Sequence, residues 1–337
     1  MKILLEKLLR AESLDLEDSH RLFDGLIRDT PPEMKAALLS ALRAKKETET
    51  EILGMAQQMR KYAVALPPRM QEALDTCGTG GDGSRTLNLS TLSALLLSSM
   101  GVPIVKHGNR SVSSACGSAD LLEGLGFPLD LTPDQAVSLF DSTRFAFLFA
   151  PLYHPVMKSV AAVRKALQIR TIFNFLGPLS NPAKVLHQVV GVPEAGRVRP
   201  FAEVLKLLGL KSAMVVHGEP GMDEISPCGK TQLSYFLDKG PIRDMTVTME
   251  DLGCAPIRKE SLTVNNIAEA VARARRALEG KGAEEDMTAV SVNAAAGLFI
   301  TGKVKHLADG VSQARTHLAQ GLAHPHFNRI LQAAAKL

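Results

Sequence analysis

The residues best suited to chemistry lie between Asp75 and Gly126, in two loops rich in glycine and small polar side chains. The first reads DTCGTGGDGSRTLNLST and holds Gly78, Gly80, Gly81, Asp82 and Gly83, followed by Asn88, Ser90 and Thr91. Backbone N–H groups freed by glycine, beside hydroxyls at a helix start, form a site for phosphate oxygens. The second reads KHGNRSVSSACGSADLLEGLG and opens on Lys106, just after the apolar run Val102 to Val105. A cation is thereby placed near the end of a predicted strand, with His107, Asn109 and Arg110 directly behind it. Together the loops suit an anionic, phosphate-bearing small molecule. Gly78, Gly80 and Gly83 do spell GxGxxG, but a polar SRTLNLS insert follows where a dinucleotide-binding helix should begin. No GK[ST] closes the loop either, so it is not a P-loop. Four glycines in six residues are too specific for a merely flexible loop.

Asp223 and Glu224 stand in HGEPGMDEIS, past the predicted strand SAMVVHG. Adjacent carboxylates at a strand end suit Mg²⁺, which is usually held by one or two carboxylates plus water and substrate phosphates. Ser90 could add a hydroxyl oxygen. Alone, this loop reads equally well as a solvated acidic turn; beside a phosphate loop, the metal reading gains. His154, His187 and His217 read as structural histidines, and Arg164 as a surface arginine on a helix ahead of a Gly177–Pro178 turn.

The elements that must position these groups fall into two textures. Residues 1–66 read as helices only, with Leu4, Leu5, Leu8 and Leu9 at helical spacing. Thr30-Pro31-Pro32-Glu33 predicts a helix capped by Thr30, and ETETEILGMAQQMRKYAV predicts a third amphipathic helix. Pro67 and Pro68 lead into residues 67–337, where VPIVKH, FAFLFAP, VVGVPE and SAMVVHG alternate with helical runs. Thr132 and Gln135 predict a capping box, and SVNAAAGLFITG a buried helix. Alternation of this kind predicts a mostly parallel sheet covered on both faces, with sites at the carboxyl ends of its strands. The loops at Gly78, Lys106 and Gly218 would then share one rim. Part of 155–185 interrupts the alternation and is expected to rejoin the helical domain.

Composition narrows the classes further. With 337 residues, 45% of them hydrophobic and 22% charged, the chain is an ordinary globular one of two domains or one large α/β domain. Its net charge of +4 demands no nucleic-acid partner. The four cysteines form no CxxC pair, so a reducing, cytoplasmic setting is expected. No apolar run approaches the roughly 20 residues needed to span a bilayer.

The motifs GTGGDGxxTxNxST, KHGNRxVSSxxGSADxLExLG, VRxxLxIRTIFNxLGPLxNPA and GxDE together resemble the anthranilate phosphoribosyltransferase family, over nearly the full length. The departure is small: Ala115-Cys116 stands where the family usually has Lys-Ser or similar, and neither position is given a role in chemistry. The resemblance implies a homodimer with a small helical domain and a large α/β domain, the site lying at the hinge. It implies phosphoribosyl pyrophosphate (PRPP) bound by Gly78, Gly81, Asp82, Thr86, Asn88, Leu89, Ser90 and Thr91. It extends that contact to Lys106, His107, Gly108, Asn109, Arg110, Ser111, Val112, Ser113, Ser114 and Ser118. Mg²⁺ would be held by Ser90, Asp223 and Glu224. Anthranilate would meet Asn109, Arg164 and the loop at Gly78, with His107, Gly177 and Pro178 lining its tunnel. No general base is assigned, because the anthranilate amine is largely unprotonated at neutral pH. A pyrimidine nucleoside phosphorylase shares the domain plan, but KHGNRSVSS does not suit it. A nucleic-acid-binding relative that has lost catalysis would carry eroded motifs and an extended basic surface, and these motifs are intact.

Overall fold

The computed structural model describes residues 1–80, 85–111 and 115–337. Four helices open the chain: α1 (Lys2–Leu9), α2 (Leu16–Ile27), α3 (Pro32–Lys45) and α4 (Glu49–Lys61). Helix α2 escaped the sequence reading, although Asp15 caps it by accepting from the Asp18 N–H at 2.8 Å. The expected Thr30 cap is corrected. Pro31 occupies the cap position with no side-chain bond, because Pro32 takes the first helical position and leaves Thr30 one residue too early. At α4 the capping box forms between Thr48 and Glu51, each side chain accepting from the other's N–H.

Beyond Pro67 the order is β1 (Leu74–Gly78), α5 (Leu89–Ser99), β2 (Ile104–Gly108), α6 (Ser118–Gly124), α7 (Pro133–Thr143) and β3 (Phe145–Phe149). Next come α8 (Ala150–Tyr153), α9 (Lys158–Leu167), α10 (Phe173–Leu179), β4 (His187–Gly191), α11 (Val198–Leu207) and β5 (Ser212–Gly218). The chain ends with β6 (Thr231–Phe236), β7 (Arg243–Val247), α12 (Ile267–Leu278), α13 (Glu284–Ile300), α14 (Leu307–Ala319) and α15 (Ala323–Ala334). The sheet order is β3-β2-β1-β4-β5-β6-β7; the first five strands run parallel and the last two antiparallel. The fold is thus a small helical unit beside a large α/β unit built on a mostly parallel sheet.

Alternation along the strands decides which layer each side chain joins. On β5, Met214 and Val216 pack with α5 and α13, while Ala213 and Val215 pack with the core shared by α2, α4, α10 and α11. The segment after β3 returns to the N-terminal helices: α9 packs on α2 and α3, and α10 on α4. Lys35 donates to the Ser159 carbonyl at 3.1 Å and Arg60 to the Leu179 carbonyl at 2.6 Å, fastening both contacts.

Gly177 and Pro178 lie inside α10 rather than in a turn. A proline so near the end of a seven-residue helix forfeits a single intrahelical bond, which a short helix tolerates. Among the described residues, no helix is long and apolar enough to cross a membrane.

Candidate active site

Parallel strands deliver their carboxyl ends to one rim, and a cleft of about 580 Å³ opens there, between the rim and α9–α10. Its floor is set by close packing. Gly78 of β1 sits in register with Gly191 of β4. The segment carrying Asp223 crosses directly over both: a Cβ on Gly191 would lie 1.4 Å from the Asp223 carbonyl oxygen. One on Gly78 would lie 2.2 Å from Asp223 Oδ2. Only glycine leaves room, so the sheet itself holds the Asp223 carboxylate over the strand ends. That carboxylate also accepts from the Gly80 N–H at 2.7 Å. Gly80 has φ +68°, a conformation that favours glycine.

Beneath the floor runs a buried polar network. Lys106, 1% exposed, donates to the Thr76 carbonyl, and its Nζ is 3.4 Å from Ser90 Oγ. Burial pulls its ammonium below the ordinary value, and Asp75 opposes that pull. Asp75 is fully buried and accepts from Asn181 Nδ2 (2.9 Å), the His107 N–H (3.3 Å) and Gln188 Nε2 (3.4 Å). Burial pushes its carboxyl up to about 6, against the opposing influence of Lys106 and these donors. Gln188 Nε2 also reaches the Pro178 carbonyl at 2.6 Å, so one network ties β1, β2 and β4 to α10.

The wall away from Asp223 is aromatic and uncharged at neutral pH. The rings of His107 and His154 meet edge to face, 5.0 Å between centroids. Burial drives His107 down to about 3, with His154 adding to the effect, and drives His154 down to about 4. Gly177 and Pro178 line the same cleft. Arg164 lies over the Phe173 ring, 5.4 Å from its centroid, and burial lowers its pKa. The surface reading drawn from the residues alone is therefore corrected: α9 turns this arginine into the cleft, the side that the family resemblance implies.

Around the second loop, Asp120 accepts from the N–H groups of Ser111 and Gly117, each at 2.9 Å. Gly117 has no room for a Cβ, which would meet the Ser111 nitrogen at 2.3 Å. Asn88 donates to the Cys116 carbonyl at 2.9 Å and accepts from the Thr91 hydroxyl at 3.0 Å, so the two loops are joined. Arg110 pairs with Glu123 (2.6 Å) and Asp120 (3.1 Å).

Of the expected site residues, Gly78, Thr86, Asn88, Ser90, Lys106, His107, Gly108, Asn109, Arg110, Ser118, Arg164, Gly177, Pro178, Asp223 and Glu224 all line this cleft. Leu89 and Thr91 are instead buried within α5, and Ser111 sits behind the rim against Asp120. Gly81, Asp82, Val112, Ser113 and Ser114 lie outside the described residues. His154, expected to be structural, joins the lining as well. The signal that could have found it is its place just past β3, since strand ends gather on this rim. Among the described lining residues, five cations (Arg85, Lys106, Arg110, Lys158 and Arg164) accompany two carboxylates, and of the five Arg110 is already paired with Glu123 and Asp120. Positive charge exceeds negative charge in this lining, the balance that an anionic ligand calls for.

Asp223, Glu224 and Ser90 offer oxygen donors alone, the set a hard cation takes. Among the described residues, no three His, Cys, Asp or Glu side chains form a cage of their own. A cation here would draw its remaining ligands from water and substrate, as Mg²⁺ does.

Comparison with known proteins supplies the family. A model described as "Glycosyl transferase family, helical bundle domain" matches residues 2–63. A second, "Glycosyl transferase family, a/b domain", matches residues 70–324. The chain is 45% identical over 324 residues to the anthranilate phosphoribosyltransferase of Ignicoccus hospitalis, covering 95% of this chain and 92% of that protein. With the same enzyme of Myxococcus xanthus it shares 38% over 333 residues, covering 98% of each. Among solved structures, anthranilate phosphoribosyltransferase from Thermus thermophilus superposes with a TM-score of 0.92 at 38% identity, over 98% of this chain and 99% of that one. The Saccharomyces cerevisiae enzyme, in complex with PRPP and Mg, gives 0.86 at 25% identity, over 95% and 94%.

Proposed function

This chain belongs to the anthranilate phosphoribosyltransferase family, and we propose that the described cleft is where it carries out the family's reaction. It is an enzyme that moves the phosphoribosyl group of PRPP to the amine of anthranilate and releases pyrophosphate, a step of tryptophan biosynthesis. The observation that carries the assignment to this cleft is the presence in one lining of the Asp223–Glu224 pair, the cations Arg85, Lys106, Lys158 and Arg164, and the neutral rings of His107 and His154. PRPP would lie over the rim, with its pyrophosphate toward Lys106, Ser90 and the start of α5, where first-turn N–H groups lack intrahelical partners. Anthranilate would stack between His107 and Pro178, its carboxylate toward Arg164.

In the reaction the bond from ribose C1 to pyrophosphate oxygen breaks, and the electron pair leaves with pyrophosphate. The amine nitrogen donates its lone pair to C1, and its surplus proton passes to water. Negative charge grows on the leaving group beside Lys106 and the backbone donors, which stabilise it where it develops. Asp223, Glu224 and Ser90 would hold Mg²⁺, which when bound supplies positive charge to the same oxygens. The neutral histidines add no competing charge at the amine. Two cleft walls come from different units, so closure of residues 1–66 with part of 155–185 onto the rest would exclude water from the activated sugar.

Two further features complete the reading. Ile3 and Leu9, large apolar side chains 75% and 70% exposed on α1, would suit pairing of two copies through the helical unit. Light scattering should then give twice the chain mass. A cytoplasmic location would suit that pathway and the four cysteine thiols. The reaction itself is tested by following anthranilate fluorescence in the presence of PRPP and Mg²⁺, then omitting each in turn. Loss of signal that needs all three is expected; loss without PRPP, or none from folded protein, would overturn the reading.

A further inference from the structure

We propose that Arg273, on α12 and outside the cleft, is a positioning residue for the sugar-phosphate donor. It acts through the segment 261–264 on the chain that leaves the first glycine loop. The inference rests on the reading that Thr86 and Asn88 face PRPP. Arg85, Thr86, Leu87 and Asn88 line the cleft, yet they belong to no strand of the seven-stranded sheet. Their backbone is bonded to that segment: the Leu87 N–H donates to the Leu262 carbonyl, and the Val264 N–H donates to the Arg85 carbonyl, both at 2.9 Å. Thr86 and Thr263 form an antiparallel bridge between these bonds.

That bracing segment opens in a 3-10 turn and is pinned through the buried side chains of Leu262 and Val264, 0% and 1% exposed. Arg273 fixes its backbone carbonyls. Its Nη1 donates to the Thr263 carbonyl at 2.8 Å and its Nη2 to the Ser261 carbonyl at 2.6 Å. The other edge of the guanidinium makes a two-point bond to Asp286, Nε to Oδ2 at 3.1 Å and Nη2 to Oδ1 at 2.5 Å. Asp286 is 1% exposed in the first turn of α13, the long buried helix under the sheet. A rigid core helix therefore fixes a carboxylate, the carboxylate orients a planar fork, and the fork fixes the carbonyl of Thr263, the residue bridged to Thr86, and that of Ser261 two residues before it. Only a guanidinium has the donors and the planar geometry to serve carboxylate and carbonyls together.

The test uses the full-length enzyme and two variants. In Arg273→Lys the ammonium can keep the Asp286 pair but cannot also reach both carbonyls. In Arg273→Gln with Asp286→Asn both charges go, so no buried carboxylate is stranded and the fold is spared that stress. In each, KM for PRPP should rise by about tenfold or more while KM for anthranilate stays within about twofold, because misplacement is confined to one subsite. Hydrogen exchange should show faster exchange at the Leu87 and Val264 amides, with core strands unchanged. Equal rises in both KM values, or an unchanged KM for PRPP in folded variants, would overturn the inference while the wild type still turns over. An inactive wild type would overturn the reading of the cleft, and this inference with it.

Discussion

Gly78→Ala is the substitution that most sharply tests how the acidic corner is held. The added Cβ would stand 2.2 Å from Asp223 Oδ2, 2.8 Å from its Cγ and 3.3 Å from its carbonyl oxygen. Ordinary contact begins near 3.4 Å, so the carboxylate must retreat by more than an ångström. It has little freedom to do so. The Asp223 carbonyl oxygen already occupies the place a Cβ on Gly191 would take, and Oδ2 is bonded to the Gly80 N–H. Overpacking of this kind costs about 1–3 kcal/mol of stability. A displacement of about 1 Å in a positioned group can cost about a hundredfold in rate. Following anthranilate fluorescence while Mg²⁺ is titrated should show kcat/KM lowered by about a hundredfold and the apparent Mg²⁺ constant raised about tenfold. A folded Gly78→Ala protein with unchanged Mg²⁺ dependence and kcat/KM within about threefold of the parent would refute the reasoning.

Two more outcomes follow from the aromatic wall. Arg164→Ala should raise KM for anthranilate by about tenfold or more and leave KM for PRPP nearly unchanged; equal effects in the same assay would count against a carboxylate contact. His107 and His154 are held neutral, at about 3 and about 4, below their ordinary 6.5. Their share of stability is therefore complete above about pH 6.5 and is lost as pH falls toward 4, by about 2 kcal/mol each at pH 5. Asp75, raised to about 6, works in the opposite sense, losing stability as pH rises from about 4 to 6. The two are separated by difference: His154→Gln should lose about 2 kcal/mol less than the parent between pH 8 and pH 5 in urea melts. Parallel losses would contradict the buried, neutral ring.

The sheet and much of the rim were legible because their signals are local. Strands such as Ile104–Gly108 and Ser212–Gly218 announce themselves as short β-rich runs, and the Thr132–Gln135 capping box formed as its spacing predicts. Glycine density marked the first loop, and two adjacent carboxylates marked the acidic corner. What stayed hidden depends on distant partners. The Asp75 network draws on Asn181 and Gln188, more than a hundred residues away, and no local pattern links them. His154 takes its meaning from the docking of the segment after β3 against the rim, a tertiary event, and Arg164 was reached through its family motif rather than through any local pattern. Strand β7 was missed because it is exposed along most of its length and carries no apolar pattern, whereas β6 is buried along most of its length but hides its strand character behind polar Thr231, Gln232 and Ser234. Local chemistry also misled at Thr30 and at Gly177–Pro178, where proline looked like punctuation but was absorbed at a helix end.

The central claim, that this cleft joins PRPP to anthranilate at a carboxylate-held metal corner, is tested most directly by one paired measurement. Anthranilate consumed and pyrophosphate released should be quantified together, for the parent and for Asp223→Asn with Glu224→Gln. The account predicts a one-to-one ratio in the parent and turnover reduced by at least about a hundredfold in the folded double variant. Pyrophosphate release without anthranilate loss, or a double variant as active as the parent, would contradict it.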